Sequence, residues 1–117
     1  MNASDLKTRT KQYALKVIRL YVSLPKATEA QILGKQMLRS GTAVGAHYRE
    51  AQRAKSHADL ISKLEGALQE LEESGYWLEL LVESAIVTQT RVAELLDETN
   101  QLIAMLVVAV KQLKAKS

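Results

Sequence analysis

The chain has no cysteine among its 117 residues. This excludes a disulfide framework and any thiolate metal site, and it fits a reducing, cytoplasmic setting. One proline and five glycines are too few for long irregular stretches or for a β-protein rich in turns. Long hydrophobic runs are also missing. The longest, from Leu102 to Val110, reaches about half of the ~20 residues that a membrane-spanning helix needs. The N-terminus, MNASDLKTRTKQ, is polar where a secretory signal requires an apolar segment. A membrane partner is therefore not expected. Neither sign of charge dominates, since 16 Lys and Arg face 13 Asp and Glu for a net charge of +3. The length suits a single domain over residues 1–117 with one core.

Apolar residues recur at spacings of three and four almost throughout, which is the helical period. The first stripe is Leu6, Tyr13, Val17, Leu20, Tyr21 and Leu24. Pro25 stops it, having no N–H to donate and disfavouring α geometry in the residue before it. A second stripe runs through Leu33, Met37, Leu38, Val44, Tyr48 and Ala51. Ser56, followed by Asp59 in the first turn, reads as the N-cap of a third helix. The β-branched stretch Ile86-Val87-Thr88 ends that helix, and Thr88 or Thr90 caps a fourth. The spans expected are about 5–24, 28–54, 57–86 and 90–115. Joints this short force neighbouring helices antiparallel, so the expected fold is an all-α, up-and-down four-helix bundle.

Gly34, Gly41 and Gly45 share one face of the second helix, at a cost of roughly 1 kcal/mol each relative to Ala. Close approach of another backbone is the natural compensation. The sequence leaves two sources for it, a neighbour in the same bundle or a second subunit. Gly66 and Gly75 in the third helix read the same way, or as a local bend.

Two blocks of the chain are distinctive. Residues Leu38 to Ala54 read LRSGTAVGAHYREAQRA, and Glu72 to Leu81 read EESGYWLELL. These resemble the bacterial four-helix-bundle family first described as open reading frames within intervening sequences of 23S ribosomal RNA genes. The similarity extends from about Gln12 to Leu113, with His47 where such proteins commonly have Asn and Ala43 where they commonly have Ser. The resemblance implies four helices per subunit, a ring-shaped homopentamer and no established enzymatic activity. More distant relatives are accessory proteins to a reverse transcriptase and bind nucleic acid, which implies RNA or DNA as a partner.

Charge is unevenly distributed along the chain. Residues 1–25 carry five basic and one acidic side chain, residues 26–55 six and two, residues 56–87 one and seven, and residues 88–117 four and three. Up-and-down threading places the start of the first helix, the joint between the second and third, and the end of the fourth at one pole. That pole is expected to collect Lys7, Arg9, Lys11, Arg49, Arg53, Lys55, Lys111, Lys114 and Lys116 against Asp5, Glu50 and Asp59. Glu29, Glu79, Glu83, Glu94, Asp97 and Glu98 gather at the other. A basic rim of this kind suits the phosphates of a nucleic acid. A competing pattern sets Glu65, Glu72, Glu79 and Glu83 of the third helix against Lys35, Arg39, Arg49 and Arg53 of the second. Arg39, Gly41, Gly45, Glu72 and Glu79 are accordingly candidate subunit contacts.

Catalytic constellations are absent. A di-metal site in a bundle uses Glu-x-x-His pairs, and neither His47 nor His57 has Glu three residues before it. Ser40 and Thr42 lack an evident base, and no phosphate-binding glycine loop of the G-x-x-x-x-G-K-[ST] type occurs. Tyr76 and Trp77 sit among leucines and read as core or interface residues. Tyr48, nearer the basic pole, is the better stacking candidate. The sequence thus predicts a non-enzymatic protein with no cofactor or metal. It would bind nucleic acid as a homo-oligomer or, in the alternative, serve as an adaptor ring for another protein.

Overall fold

The computed structural model describes residues 3–116. Four helices follow one another: α1 (Ala3–Ser23), α2 (Thr28–Gln52), α3 (His57–Glu83) and α4 (Gln89–Ala115). Each packs on its neighbours in the cyclic order α1, α2, α3, α4. This is an up-and-down four-helix bundle, 47 Å long and about 20 Å across.

The joints are closed by local hydrogen bonds. After Pro25, Gln31 clamps the first joint: its Nε2 donates to the Pro25 carbonyl (2.8 Å), and its Oε1 accepts from the Tyr21 hydroxyl (3.0 Å). Ser56 caps α3 by accepting from the Asp59 N–H (3.0 Å), while the Asp59 carboxylate accepts from the Lys55 N–H (3.1 Å). Thr88 caps α4 through the Arg91 N–H (3.2 Å). The third helix stops at Glu83, three residues short of the expected 86, because Ala85 turns left-handed (φ 61°). The Ile86 N–H then reaches back to the Leu81 carbonyl (3.0 Å) and the Ala85 N–H to that of Val82 (2.9 Å), the paired bonds of a Schellman ending.

The core is built from the stripes: Val17 and Leu20 of α1, Met37 and Val44 of α2, Leu71, Leu78 and Leu81 of α3, and Leu102 and Leu106 of α4. Buried hydroxyls interrupt it, with at least one from each helix. The Tyr13 hydroxyl and Thr99 Oγ1 lie 2.6 Å apart, and Ser40 Oγ and Ser74 Oγ lie 2.8 Å apart. Burial pushes the Tyr13 phenol above its ordinary pKa, and hydrogen bonds with Thr99 and Ser74 pull the other way. The layer therefore links all four helices at mid-bundle.

The glycine face of α2 turns toward α1 of the same chain. A Cβ on Gly41 would lie 2.8 Å from Val17 Cγ2, and one on Gly45 would lie 3.3 Å from Thr10 Oγ1. Both glycines are buried. This corrects their assignment as subunit contacts: their close approach is the α1–α2 seam. Gly66 makes room for the His47 ring, whose Nδ1 would be 3.2 Å from an added Cβ.

Two outcomes follow for stability. Gly41→Ala should destabilise the bundle by about 1–2 kcal/mol in urea denaturation, since overlap with the β-branched Val17 exceeds the helix-propensity gain. Gly75→Ala should stabilise by up to about 1 kcal/mol, because its nearest neighbour, Thr99 Cγ2, stands 3.7 Å from the new methyl. Tyr13 also carries a pH signature. Its folded pKa is raised, so its contribution is complete below the ordinary tyrosine value near 10 and is lost as pH climbs through the folded value. Tyr13→Phe should cost about 1 kcal/mol at pH 7. Repeating the denaturation at alkaline pH should show a shallower loss of stability than in the parent chain.

Candidate nucleic-acid interface

The last turns of α2 and the first turns of α1 run side by side at one end of the bundle. There Lys7, Arg49 and Arg53 line a shallow groove of about 320 Å³, together with Glu50 and Gln52. The helical period explains the grouping, since Arg49 and Arg53 are four residues apart and so share a face of α2. Glu50 is turned toward His47, whose Nδ1 lies 3.1 Å from its carboxylate. Lys11, Lys55, Lys111 and Lys116 are exposed. Neither these lysines nor the three groove cations form an ion pair among the described residues. His57 joins the end of α4 to the α2–α3 joint, its Nε2 lying 2.8 Å from the Leu113 carbonyl oxygen.

Arg9 is the clearest correction. It lies in the α1–α4 seam, where its Nε donates to Glu98 (3.0 Å) and one Nη donates to both Glu98 and Gln101, the latter at 3.0 Å. Hydrogen bonding to Glu98 raises the already high guanidinium pKa. Glu98, expected at the acidic pole, is the partner that takes Arg9 away from any phosphate. Lys114 is engaged as well, 2.8 Å from Glu65. That pair is half exposed, so its net worth is about 0.2–1 kcal/mol and it can open.

Arg39, a candidate subunit contact, is held within the chain by Glu70 (3.0 Å) and Glu73 (3.1 Å). Glu70 also faces the His47 Nε2 at 3.7 Å. These carboxylates lie outside the Glu65, Glu72, Glu79 and Glu83 stripe expected to meet the basic face of α2, so Arg49 and Arg53 are left to the groove. Glu72 and Glu79 are exposed. At the opposite end, Lys16 pairs with Glu94 (2.6 Å), and this holds the Glu94 carboxyl below its ordinary pKa. Arg91 there donates to Ser23 Oγ (3.2 Å). Lys16, Arg19, Arg91 and Glu94 line a second charged depression of about 280 Å³, which sequence reasoning missed. One of its cations is neutralised and another is held, so it is the weaker anion site of the two.

The aromatics divide. Trp77 packs against the core, whereas Tyr76 is 54% exposed on the single chain and so is not a core residue. Tyr48 is buried beside the basic tip. It belongs to an apolar cleft that sequence reasoning also missed, lined by Leu6, Tyr48, Ala51, Leu60, Leu64 and Leu113. Among the described residues, no group of three His, Asp or Glu is placed to hold a metal ion. None of the helices there is long and apolar enough to cross a membrane.

The architecture is thus that of a small antiparallel helical bundle with cations collected at one tip. The model of the 23S rRNA-intervening sequence protein family matches residues 3–108, and the chain belongs to that family. It is also similar to a protein from Bacteroides thetaiotaomicron whose crystal structure is described as that of a protein with unknown function from the S23 ribosomal protein family. The two share 34% identity and superpose with a TM-score of 0.89, over 95% of this chain and 99% of that one. No curated protein matches the chain.

Proposed function

We propose that the chain is a non-enzymatic nucleic-acid-binding protein that holds RNA or DNA by its phosphates at the basic tip and works as a homo-oligomer, a pentamer by family resemblance. The observation that carries this reading is the convergence of Lys7, Arg49 and Arg53 in one groove without carboxylate partners for them. Around them Lys11, Lys55, Lys111 and Lys116 add positive charge, and a like-signed surface concentrates a polyanion before contact is made. A ring of such subunits with their tips on one side would multiply the effect through simultaneous engagement.

The adaptor-ring alternative draws on a different feature. Val22 is 75% exposed and Ile32 58% exposed, and exposed aliphatic residues of this kind favour burial against another protein surface. Those same residues would equally serve self-association.

Titration of labelled RNA and DNA at increasing salt separates the two readings. If the three groove cations each neutralise one phosphate, the log of the association constant should fall by about 2 to 3 per log unit of salt. Arg49→Glu with Arg53→Glu should weaken binding at low salt by at least about tenfold and flatten that slope. Negligible binding of the parent chain at low salt would leave the adaptor reading alone.

A further inference from the structure

The cleft beside the cations suggests which form of nucleic acid the tip takes. Along the middle of the bundle the core is sealed: Tyr13, Leu71 and Leu102 have no exposed surface. At the tip this changes. Leu6 of α1 lines a depression with Met105, Val108, Ala109 and Gln112 of α4. Beside it the described residues of all four helices leave a cleft of about 390 Å³ walled by Leu6, Tyr48, Leu60, Leu64 and Leu113.

Its position relative to charge is specific. Gln52 lines both this cleft and the groove of Lys7, Arg49 and Arg53, so an amide stands between an apolar hole and a row of cations. Leu6, in the cleft wall, directly precedes Lys7 in the chain. A ligand that fills both spaces has a flat apolar body with polar edges and several negative charges strung alongside. An unpaired nucleotide in a strand fits that description: base in the cleft, base edge on the Gln52 amide, neighbouring phosphates on Lys7, Arg49 and Arg53. An acyl chain ending in a single acid group fits less well, because one headgroup would leave most of the cation row unused.

Resting on the phosphate-binding reading above, we infer that the tip selects single-stranded nucleic acid by taking a splayed-out base into the cleft between Tyr48, Leu60, Leu64 and Leu113. A duplex presents its bases stacked and paired, and must open before one can enter. Insertion is sequence-tolerant, since every base has an apolar face.

Anisotropy titrations at one fixed salt concentration test this with three labelled probes of equal length: a mixed-sequence single strand, its duplex, and the single strand carrying abasic sites. The single strand should bind about tenfold more tightly than the duplex, although the duplex has the higher charge density, and the abasic strand should lose that advantage. Ala109→Leu, which narrows the cleft from α4 and leaves every cation in place, should bring the single strand down to the duplex level. Gln52→Ala, on the exposed end of α2, is the second variant should Ala109→Leu disturb the helical circular dichroism. Equal affinity for strand, duplex and abasic strand overturns base insertion while leaving phosphate binding intact. Displacement of the strand by dodecyl phosphate at lower concentration than by a free nucleotide assigns the cleft to an acyl chain and also overturns it. Absence of binding to all three probes removes both the inference and the reading beneath it.

Discussion

A single phenol closes the bundle. Tyr13 lies fully buried at mid-length on α1, and its hydroxyl meets Thr99 of α4. Ser40, Ser74 and Thr99 each also bond a carbonyl of their own helix, those of Met37, Glu70 and Leu95. They would keep an acceptor if the helices slid. Tyr13 has no such local partner among its hydrogen bonds. A slip of one turn would leave its hydroxyl facing hydrocarbon, at about 1–3 kcal/mol. The constraint falls where it is most needed, because α1 and α4 form the thinnest of the four seams. Arg9 with Glu98 and Lys16 with Glu94 flank Tyr13 on the same seam. Alignment of the first helix with the last is thus set by directional contacts, whereas α1 and α2 are aligned by the fit of glycines to Val17 and Thr10.

This alignment decides which charges meet carboxylates and which do not. Along the seams acidic side chains of α3 and α4 face basic ones of α1 and α2, and Arg9, Lys16 and Arg39 are all paired. At the tip Lys114 meets Glu65, but the cations of α1 and α2 beside it are left without carboxylate partners among the described residues. Lys7, Arg49 and Arg53 then share a groove with Glu50, which is itself turned to His47. The chain has a modest net charge of +3, yet the antiparallel threading leaves its uncompensated part concentrated. Such a field matters for association with polyanions far more than for folding. The apolar cleft lies at the same end and shares Gln52 with the groove, so positive charge and an apolar opening adjoin.

Much of the architecture was legible in the sequence. Period-three-and-four stripes, Pro25, the Ser56 cap and the short joints are local signals, and local signals specify helices and their turns. Placement of Arg49, Arg53 and Lys7 together followed from topology alone. Pairing was harder to read. Arg9 and Glu98 are 89 residues apart, and placing them together requires the vertical offset between α1 and α4, which no local pattern encodes. The three glycines were visible, but whether α1 or a second subunit filled their groove depends on side-chain fit at Val17. The polar layer did leave a trace: Ser40, Ser74 and Thr99 each stand in an apolar stripe, between Met37 and Val44, Leu71 and Leu78, and Leu95 and Leu102. A hydroxyl at such a position signals a buried hydrogen bond. The cleft left none, since it depends on how side chains from four separate helices meet.

The central claim, that Tyr13 and its neighbours hold α1 against α4 so that the cations of both helices share one tip, is open to a direct distance measurement. The chain has no cysteine, so spin labels on Lys7→Cys and Lys111→Cys, in a sample diluted with excess unlabelled chain to suppress pairs between subunits, report that separation by double electron–electron resonance. A narrow distribution, well short of the 47 Å bundle length, is the expected result. A broad distribution, or one approaching that length, would contradict it.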